Sequence, residues 1–325
     1  MNYIGSKQRL SQWIKEVVKQ TYGNDLSEVI FADIFSGTGQ VARSFKGEVK
    51  KVITNDLESY SFALNSHYIG NTKKMDNPNF SFNPIKGSIY NNFTEACSIP
   101  RKYFTEENAM IIDGIRQSID NHLIEGKINK EEYNWLLASL IEAADAVANT
   151  ASVYGAFLKA FKKTALKKVD FKLCPYEITN QENEIYQMDA NALVKQIKGN
   201  ILYLDPPYNN RQYGANYHVL NRIVENKEFS SEKITGLLDY NKSEYCKPAR
   251  VAEVFEQLID DADFELIYIS YNNEGLIKED EFKNILKKYG QYELFLTEYK
   301  RFKADSKRPN QQPNTFEYLH VLKKR

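Results

Sequence analysis

The sequence predicts an α/β fold, with a doubly wound, mainly parallel sheet, an antiparallel edge pair and a helical insert. Three observations carry this. Short apolar runs alternate with helical patterns near both ends of the chain, as strands and crossover helices of a parallel sheet do. The last two strand-like runs, YELFLTEYKRF and FEYLHVLKK, have no helix between them, so they pair antiparallel at an edge. In the middle, a long stretch of helical periodicity interrupts the alternation.

Residues 6–22 form the first predicted helix. Leu10, Trp13, Ile14, Val17 and Val18 fall on one helical face. Ser6 is placed to cap its start and Gly23 its end. EVIFADIF then reads as a buried strand running into the tight turn Ser36-Gly37-Thr38-Gly39, with QVARSFK as the helix that follows. KKVITNDLE repeats the theme, with Asp56 at the strand end, and residues 58–69 read as helix. Residues 71–100 are polar and broken by Asn, Pro and Gly, which predicts loop. Residues 101–165 read as helical and end in a span holding six lysines. Alternation resumes at 184 with EIYQMDA, the short helix NALVKQIKG, the apolar run ILYLDPPY, the strand FELIYISYN and the helix EDEFKNILKKYG. The predicted domains are therefore 1–95 with 184–325, and an insert at 96–183.

The bulk composition sets outer bounds. A chain of 325 residues with 42% hydrophobic residues can bury a sizeable core. Its formal net charge is zero, from 43 basic and 43 acidic residues, so any phosphate contact must come from a local patch. No run approaches the apolar length of a membrane span, and the N-terminus has no apolar signal region, so a soluble intracellular protein is expected. Cys97, Cys174 and Cys246 are scattered and odd in number, and His67, His122, His218 and His320 are equally dispersed. Neither a disulfide framework nor a metal site is expected.

Two motifs carry chemistry. Gly37, Gly39 and Ala42 satisfy G-x-G-x-x-G/A between a strand and a helix, with Phe35 opening the turn. Glycines allow the sharp turn and let a ligand touch the backbone. Asp56, 17 residues beyond Gly39, is placed to accept hydrogen bonds from ribose hydroxyls. Together they predict a Rossmann-like site for an adenosine-containing cofactor without saying which. The second motif, Asp205-Pro206-Pro207-Tyr208, ends an apolar strand. Two prolines stiffen the loop and remove two backbone donors. The Asp205 carboxylate and the Pro206 carbonyl match the two N–H donors of a planar amine, and Tyr208 offers a ring on which a base can stack. A flipped-out amino base needs these groups.

With these motifs in this order, the chain resembles the amino-methyltransferases of DNA, specifically the Dam-like adenine methyltransferases of the alpha group. NYIGSK resembles the N-terminal cofactor motif of that family, FSGTGQVA its glycine motif, TNDLE its acidic second-strand motif and LDPPYNNRQY its catalytic motif. Ser6 departs from the family, which often has Gly there. The resemblance implies a methyltransferase sheet and S-adenosylmethionine as cofactor, with contacts from Tyr3, Lys7, Asp56 and Asp205. It also implies double-stranded DNA as substrate, target recognition by the insert, and a restriction-modification setting with a possible companion endonuclease. Asp189 resembles the acid near the cofactor adenine, although a helix cap for NALVKQIKG explains it equally well.

Asn209, Arg211, Tyr213 and Tyr217 follow the catalytic motif and are candidates to hold the flipped nucleotide. Residues 270–275 are further candidates for the base pocket. Lys162, Lys163, Lys167 and Lys168, and the loop with Lys303, Lys307 and Arg308, are candidate phosphate contacts. Competing readings are an NAD-dependent oxidoreductase, a cytosine-amine, RNA or protein methyltransferase, and a DNA-binding module without catalysis.

Overall fold

The computed structural model describes residues 7, 9–300 and 314–325. Tyr3, Ser6, Lys303, Lys307 and Arg308 lie outside the described residues. The chain divides into two compact units. Residues 7–57, Thr179–Gln212 and Lys242–Arg325 make one, and Glu58–Ile178 with Tyr213–Asn241 make the other. The helical unit thus begins at Glu58 rather than at 96 and takes in a second segment after the DPPY loop.

The first unit is built on seven strands: β1 (Ile30–Asp33), β2 (Lys51–Asn55), β3 (Glu184–Tyr186), β4 (Lys198–Leu204), β5 (Asp263–Asn272), β6 (Gly290–Lys300) and β7 (Asn314–Lys324). Their order is β3-β2-β1-β4-β5-β7-β6. The first five are parallel, while β7 runs antiparallel to both β5 and β6. The sheet is mainly parallel with an antiparallel edge pair, as the sequence predicts.

Strand alternation feeds two faces. Ala32, Ile34, Leu202, Leu204, Ile267 and Ile269 join a core with Phe255, Leu258 and Ile259 of helix Val251–Asp261 and Phe282 and Leu286 of helix Glu279–Leu286. On the other face Phe31 stacks on Phe45 of helix Gln40–Phe45, ring centroids 4.1 Å apart. Helix Ser11–Thr21 buries Ile14, Val17 and Val18, and its Thr21 hydroxyl lies 2.7 Å from that of Tyr268.

The second unit is helical and has its own core. Helix Glu106–Ile124 is capped by Thr105, which accepts from the Asn108 amide. Helix Lys130–Val147 begins with a capping box: Asn129 accepts from the Glu132 amide and Glu132 from the Asn129 amide, both at 2.8 Å. Helical structure stops at Val147 instead of continuing to 165. The cause is Asn149, fully buried, whose amide donates to the Lys102 and Leu158 carbonyls while its oxygen accepts from the Lys162 amide. Such side-chain bonds give the backbone an alternative to the helix.

The stretch 71–100 is not all loop, since it contains helix Ser88–Phe93. No residue next to this helix caps it. Asp113, from the neighbouring long helix, accepts from the Gly87, Ile89 and Tyr90 amides at 2.8–3.0 Å. Burial pushes the Asp113 carboxyl up to about 6 despite these three donors. Helix Glu106–Ile124 lies close to this loop: a Cβ on Gly114 would sit 2.1 Å from the Asn83 carbonyl oxygen. Cys97, Cys174 and Cys246 are all buried and free. Among the described residues no helix is long and apolar enough to cross a membrane, and no group of three or more His, Cys, Asp or Glu could hold a metal.

Candidate active site

In the strand order, β1 is the point where the chain reverses direction across the sheet, with β2 and β3 on one side and β4 and β5 on the other. Ligands bind such sheets outside the carboxyl ends of the strands flanking the reversal. Both motifs sit there, one after β1 and the other after β4.

The glycine turn leaves β1 at Asp33. Gly37 and Gly39 have φ of 51° and 72°, in the left-handed region that a side chain disfavours. Asp56 holds the turn from the end of β2, its Oδ2 accepting from the Gly37 amide at 2.8 Å. Asn55, one residue earlier and buried, ties three strand ends together. Its amide donates to the Ile34 and Met188 carbonyls, and its oxygen accepts from the Met188 amide. Phe35 is half-buried and meets Tyr245 edge-on at 5.0 Å, while the Tyr245 hydroxyl donates to Asn191 Oδ1 at 2.7 Å.

Asp205 follows β4 directly. The Lys7 ammonium lies 3.0 Å from Asp205 Oδ1 and 2.8 Å from Glu317 Oε1. Neither contact has hydrogen-bond geometry at the carboxylate, so both are ion pairs at contact distance. Lys7 is only 6% exposed and Glu317 only 5%. The Lys7 carbonyl accepts from the Leu10 and Ser11 amides, which fixes the residue just ahead of the first helix. Glu317 stands on β7 opposite Asn272.

The electrostatics follow from this crowding. Burial works against the Lys7 charge, yet Asp205 and Glu317 outweigh it and hold the ammonium well above its usual range. Burial raises the Asp205 carboxyl, with Lys7 pulling it back. Glu317 is raised by burial as well, Lys7 opposing and Asp205 adding to the rise. Asp33, at the end of β1, is pushed well above the carboxylate range by burial, then by Asp205 and Asp56, against the amides of Phe35 and Ala42. Its Oδ1 is buried with no hydrogen-bond partner. Two carboxyl groups therefore touch the Lys7 ammonium, and a third, Asp33, lies close enough to Asp205 to be raised by it.

Tyr208 is half-buried. Its ring meets Tyr271 edge-on at 6.2 Å, its carbonyl accepts from the Leu276 amide at 3.0 Å, and Lys7 Nζ lies 5.8 Å from its centroid. Gly275 is required beside this pair, since a Cβ there would fall 2.0 Å from the Tyr271 ring. Residues 270–275 thus shape the support behind Tyr208. Pro206 is buried.

The other candidates divide. Lys7 reaches the site through Asp205 and Glu317. Asp189 is an exposed helix cap whose Oδ1 accepts from the Ala192 amide at 3.0 Å. Asn209 Oδ1 accepts from the Arg211 amide at 2.9 Å, shaping the loop, and Arg211 is exposed. Tyr213 is half-buried in the helical unit. Tyr217 is fully buried in that unit's core beside Tyr60 and Tyr154, so it packs and does not face a nucleotide. Lys162 donates to the Thr150 carbonyl at 2.9 Å, and Lys168 lies 3.4 Å from Glu107. Lys163 and Lys167 are exposed.

The sequence reading missed Asp33, Asn55, Tyr245 and Glu317. Asp33 had a signal, an acid inside the apolar run FADIF. Glu317 had one too: it shares the alternate face of Leu319 and Val321, both buried.

Similarity to known proteins agrees with this geometry. A family model of D12 class N6 adenine-specific DNA methyltransferases matches residues 3–285. The chain is 47% identical over 332 residues to the Type II methyltransferase M.NlaIII of Neisseria lactamica, an alignment covering all of this chain and 99% of that protein. It is 39% identical to M.CviAII of Paramecium bursaria Chlorella virus 1, over 94% of this chain and 93% of that protein. It is 35% identical to M.FokI of Planomicrobium okeanokoites, over all of this chain and 53% of that protein. An intact DPPY loop on a reversing parallel sheet and a family match over most of the chain lead to one conclusion: this protein belongs to the D12 class N6 adenine-specific DNA methyltransferases.

Proposed function

We propose that Asp205 and the Pro206 carbonyl accept the two hydrogens of the adenine amine while Tyr208 stacks on the base. The observation that carries this is the ion-paired Asp205 at the carboxyl end of β4, one residue before a buried proline. The amine is a poor nucleophile because its lone pair is delocalised into the ring. Two acceptors favour a pyramidal nitrogen with its lone pair aimed out of the ring plane. Lys7 engages Asp205 Oδ1, which leaves Oδ2 as the acceptor for the amine. The Asp205 carboxylate is also placed to take the proton that the nitrogen sheds after transfer. Alignment of the reacting atoms and preorganised acceptors account for most of the acceleration in this scheme.

The methyl donor is S-adenosylmethionine, which supplies a sulfonium-activated methyl. The residues fit it. The carboxyl groups of Asp33, Asp56 and Asp205 suit a donor that carries a sulfonium and an ammonium, and Asp33 Oδ1 is buried with no hydrogen-bond partner. We assign the glycine turn and Asp56 to its ribose, and the ring of Phe35 to its adenine. Gly37, Gly39 and Asp205 complete the set. Asp189 follows β3 and caps helix Ala190–Leu193, and we keep it as a candidate contact on the adenine side of the cofactor.

A pH profile tests the Asp205 role. Asp205 must be ionised to accept, and its carboxyl is raised by burial. The single-turnover rate therefore falls with decreasing pH, with a midpoint above the usual carboxylate value. Lys7→Gln removes the charge that opposes the rise, so this midpoint moves up by about one pH unit. A midpoint that stays in place in Lys7→Gln would remove Asp205 from the chemistry.

We assign target recognition to the helical unit, with Tyr213, Lys163 and Lys167 as its DNA contacts, and separately assign Asn209 and Arg211, in the loop after Tyr208, to the flipped nucleotide. Lys163→Glu with Lys167→Glu should weaken DNA binding and flatten its salt dependence by about two counterions. An unchanged salt slope would move the phosphate contacts elsewhere. The named relatives are Type II methyltransferases, and from this we place the chain in the modification half of a restriction-modification pair, of bacterial or phage origin and acting in the cytoplasm. DNA that it has methylated should resist a companion endonuclease, and cleavage at an equal rate would oppose that pairing.

A further inference from the structure

Lys7 is held by two carboxylates, the half-buried Asp205 and the buried Glu317, and the proposed chemistry uses only Asp205. Glu317 lies beyond residues 3–285, the span matched by the family. It comes from the antiparallel edge pair, a part of the sheet that holds neither motif. An acid placed 5% exposed among Leu319 and Val321 is costly unless it is paired. Its partner is the ammonium that also touches Asp205, at 2.8 Å against 3.0 Å.

We propose that Glu317 is a positioning residue for methyl transfer, holding Lys7 at Asp205 while sharing its positive charge. The inference rests on the reading of Asp205 as amine acceptor. An ammonium paired with Asp205 alone would compete with the amine for the carboxylate and weaken it as an acceptor. With Glu317 drawing on the same charge, Asp205 stays anchored yet keeps its basicity. The two carboxyl groups face the same ammonium and repel one another: burial raises each, and Asp205 adds to the rise of Glu317. The charged and titratable groups around Asp205 are Lys7 ahead of the first helix, Glu317 on β7, Tyr203 on β4, Asp33 on β1 and Tyr208 in its own loop, with Asp56 beyond Asp33.

Glu317→Gln keeps the shape and one acceptor for Lys7 but removes the charge. Asp205 then has the whole of the Lys7 charge and becomes a weaker acceptor. The expected results are a kcat lower by about tenfold, an unchanged KM for DNA, and an acidic limb moved to lower pH by about half a unit to one unit. This shift is opposite in sign to that of Lys7→Gln. A residue that only supports the fold would change the melting temperature and leave the limb in place.

The experiment measures single-turnover transfer from S-adenosylmethionine to preformed enzyme–DNA complex across pH. It compares the full-length wild type, Glu317→Gln, Lys7→Gln and Asp205→Ala, with melting temperature recorded for each. A lowered limb with reduced kcat in Glu317→Gln supports the proposal. An unmoved or raised limb, with Asp205→Ala inactive, overturns it and leaves the Asp205 reading intact. Activity retained in Asp205→Ala overturns that reading itself.

Discussion

Asp205→Ala should reduce methyl transfer by about three to four orders of magnitude, in line with the loss of a preorganised polar group at a reacting atom. The loss belongs in kcat. Binding of S-adenosylmethionine should weaken far less, because the glycine turn is held by Asp56 rather than by Asp205. Stability should change little. Burial already disfavours the ionised Asp205, and Lys7 keeps Glu317 as a partner when Asp205 is gone. Asp205→Asn separates charge from shape. It keeps a carbonyl acceptor next to Pro206 but loses the carboxylate, so it should be nearly as inactive. Single-turnover rates together with thermal melting check this. A variant with near-native turnover would contradict the mechanism, whatever its stability.

Arg101→Met should have the largest effect on folding. Arg101 is 2% exposed and is paired with backbone rather than with a carboxylate. It donates to the carbonyls of Asn92 at 2.9 Å, Ser231 at 2.5 Å, Lys233 at 2.8 Å and Ile234 at 3.2 Å. One side chain therefore fastens the segment around 231–236 to the end of helix Ser88–Phe93. The chain comes so close there that a Cβ on Gly236 would lie 2.8 Å from the Phe93 ring and 3.3 Å from Arg101 Nε. Methionine fills much of the volume but satisfies none of the four carbonyls. Bonds to charged donors and buried carbonyls left unpaired suggest a cost of about 3–5 kcal/mol. Denaturant unfolding measures it. A loss below about 1 kcal/mol would mean that water takes over the role of the guanidinium.

The sheet was legible because its strands announce themselves locally. β1, β2, β4 and β5 are short apolar runs that end in turn residues, and the final pair lacks a helix between its strands. The DPPY loop and the glycine turn were legible for the same reason: each is a contiguous set of residues with a conformational task. The parts that escaped depend on residues distant in the chain. Helix Ser88–Phe93 is started by Asp113, more than twenty residues on, so nothing near its start marks it. The helix that fails to continue past Val147 is stopped by the bonds Asn149 makes to Lys102, Leu158 and Lys162. No periodicity in the intervening sequence records those bonds. Tyr217 shows the opposite error. Its place after the catalytic motif made it a candidate for the nucleotide, but its apolar ring was worth more in the core.

The site shows the same division. Asp56 and Asp205 could be assigned from motif position. Glu317 could not, because its partner Lys7 lies at the other end of the chain and only strand pairing brings β7 beside β5. The alternation of FEYLHVLKK marks Glu317 as a charge on a buried face, which is a sign of pairing but does not identify the partner.

The most direct test of the account follows label from the methyl of S-adenosylmethionine into unmethylated duplex DNA, with RNA and protein as parallel substrates. The DNA is then digested to nucleosides. Label is expected in DNA alone, all of it in N6-methyl-2′-deoxyadenosine, and none with Asp205→Ala. Label in cytosine, RNA or protein, or its persistence in the variant, would contradict it.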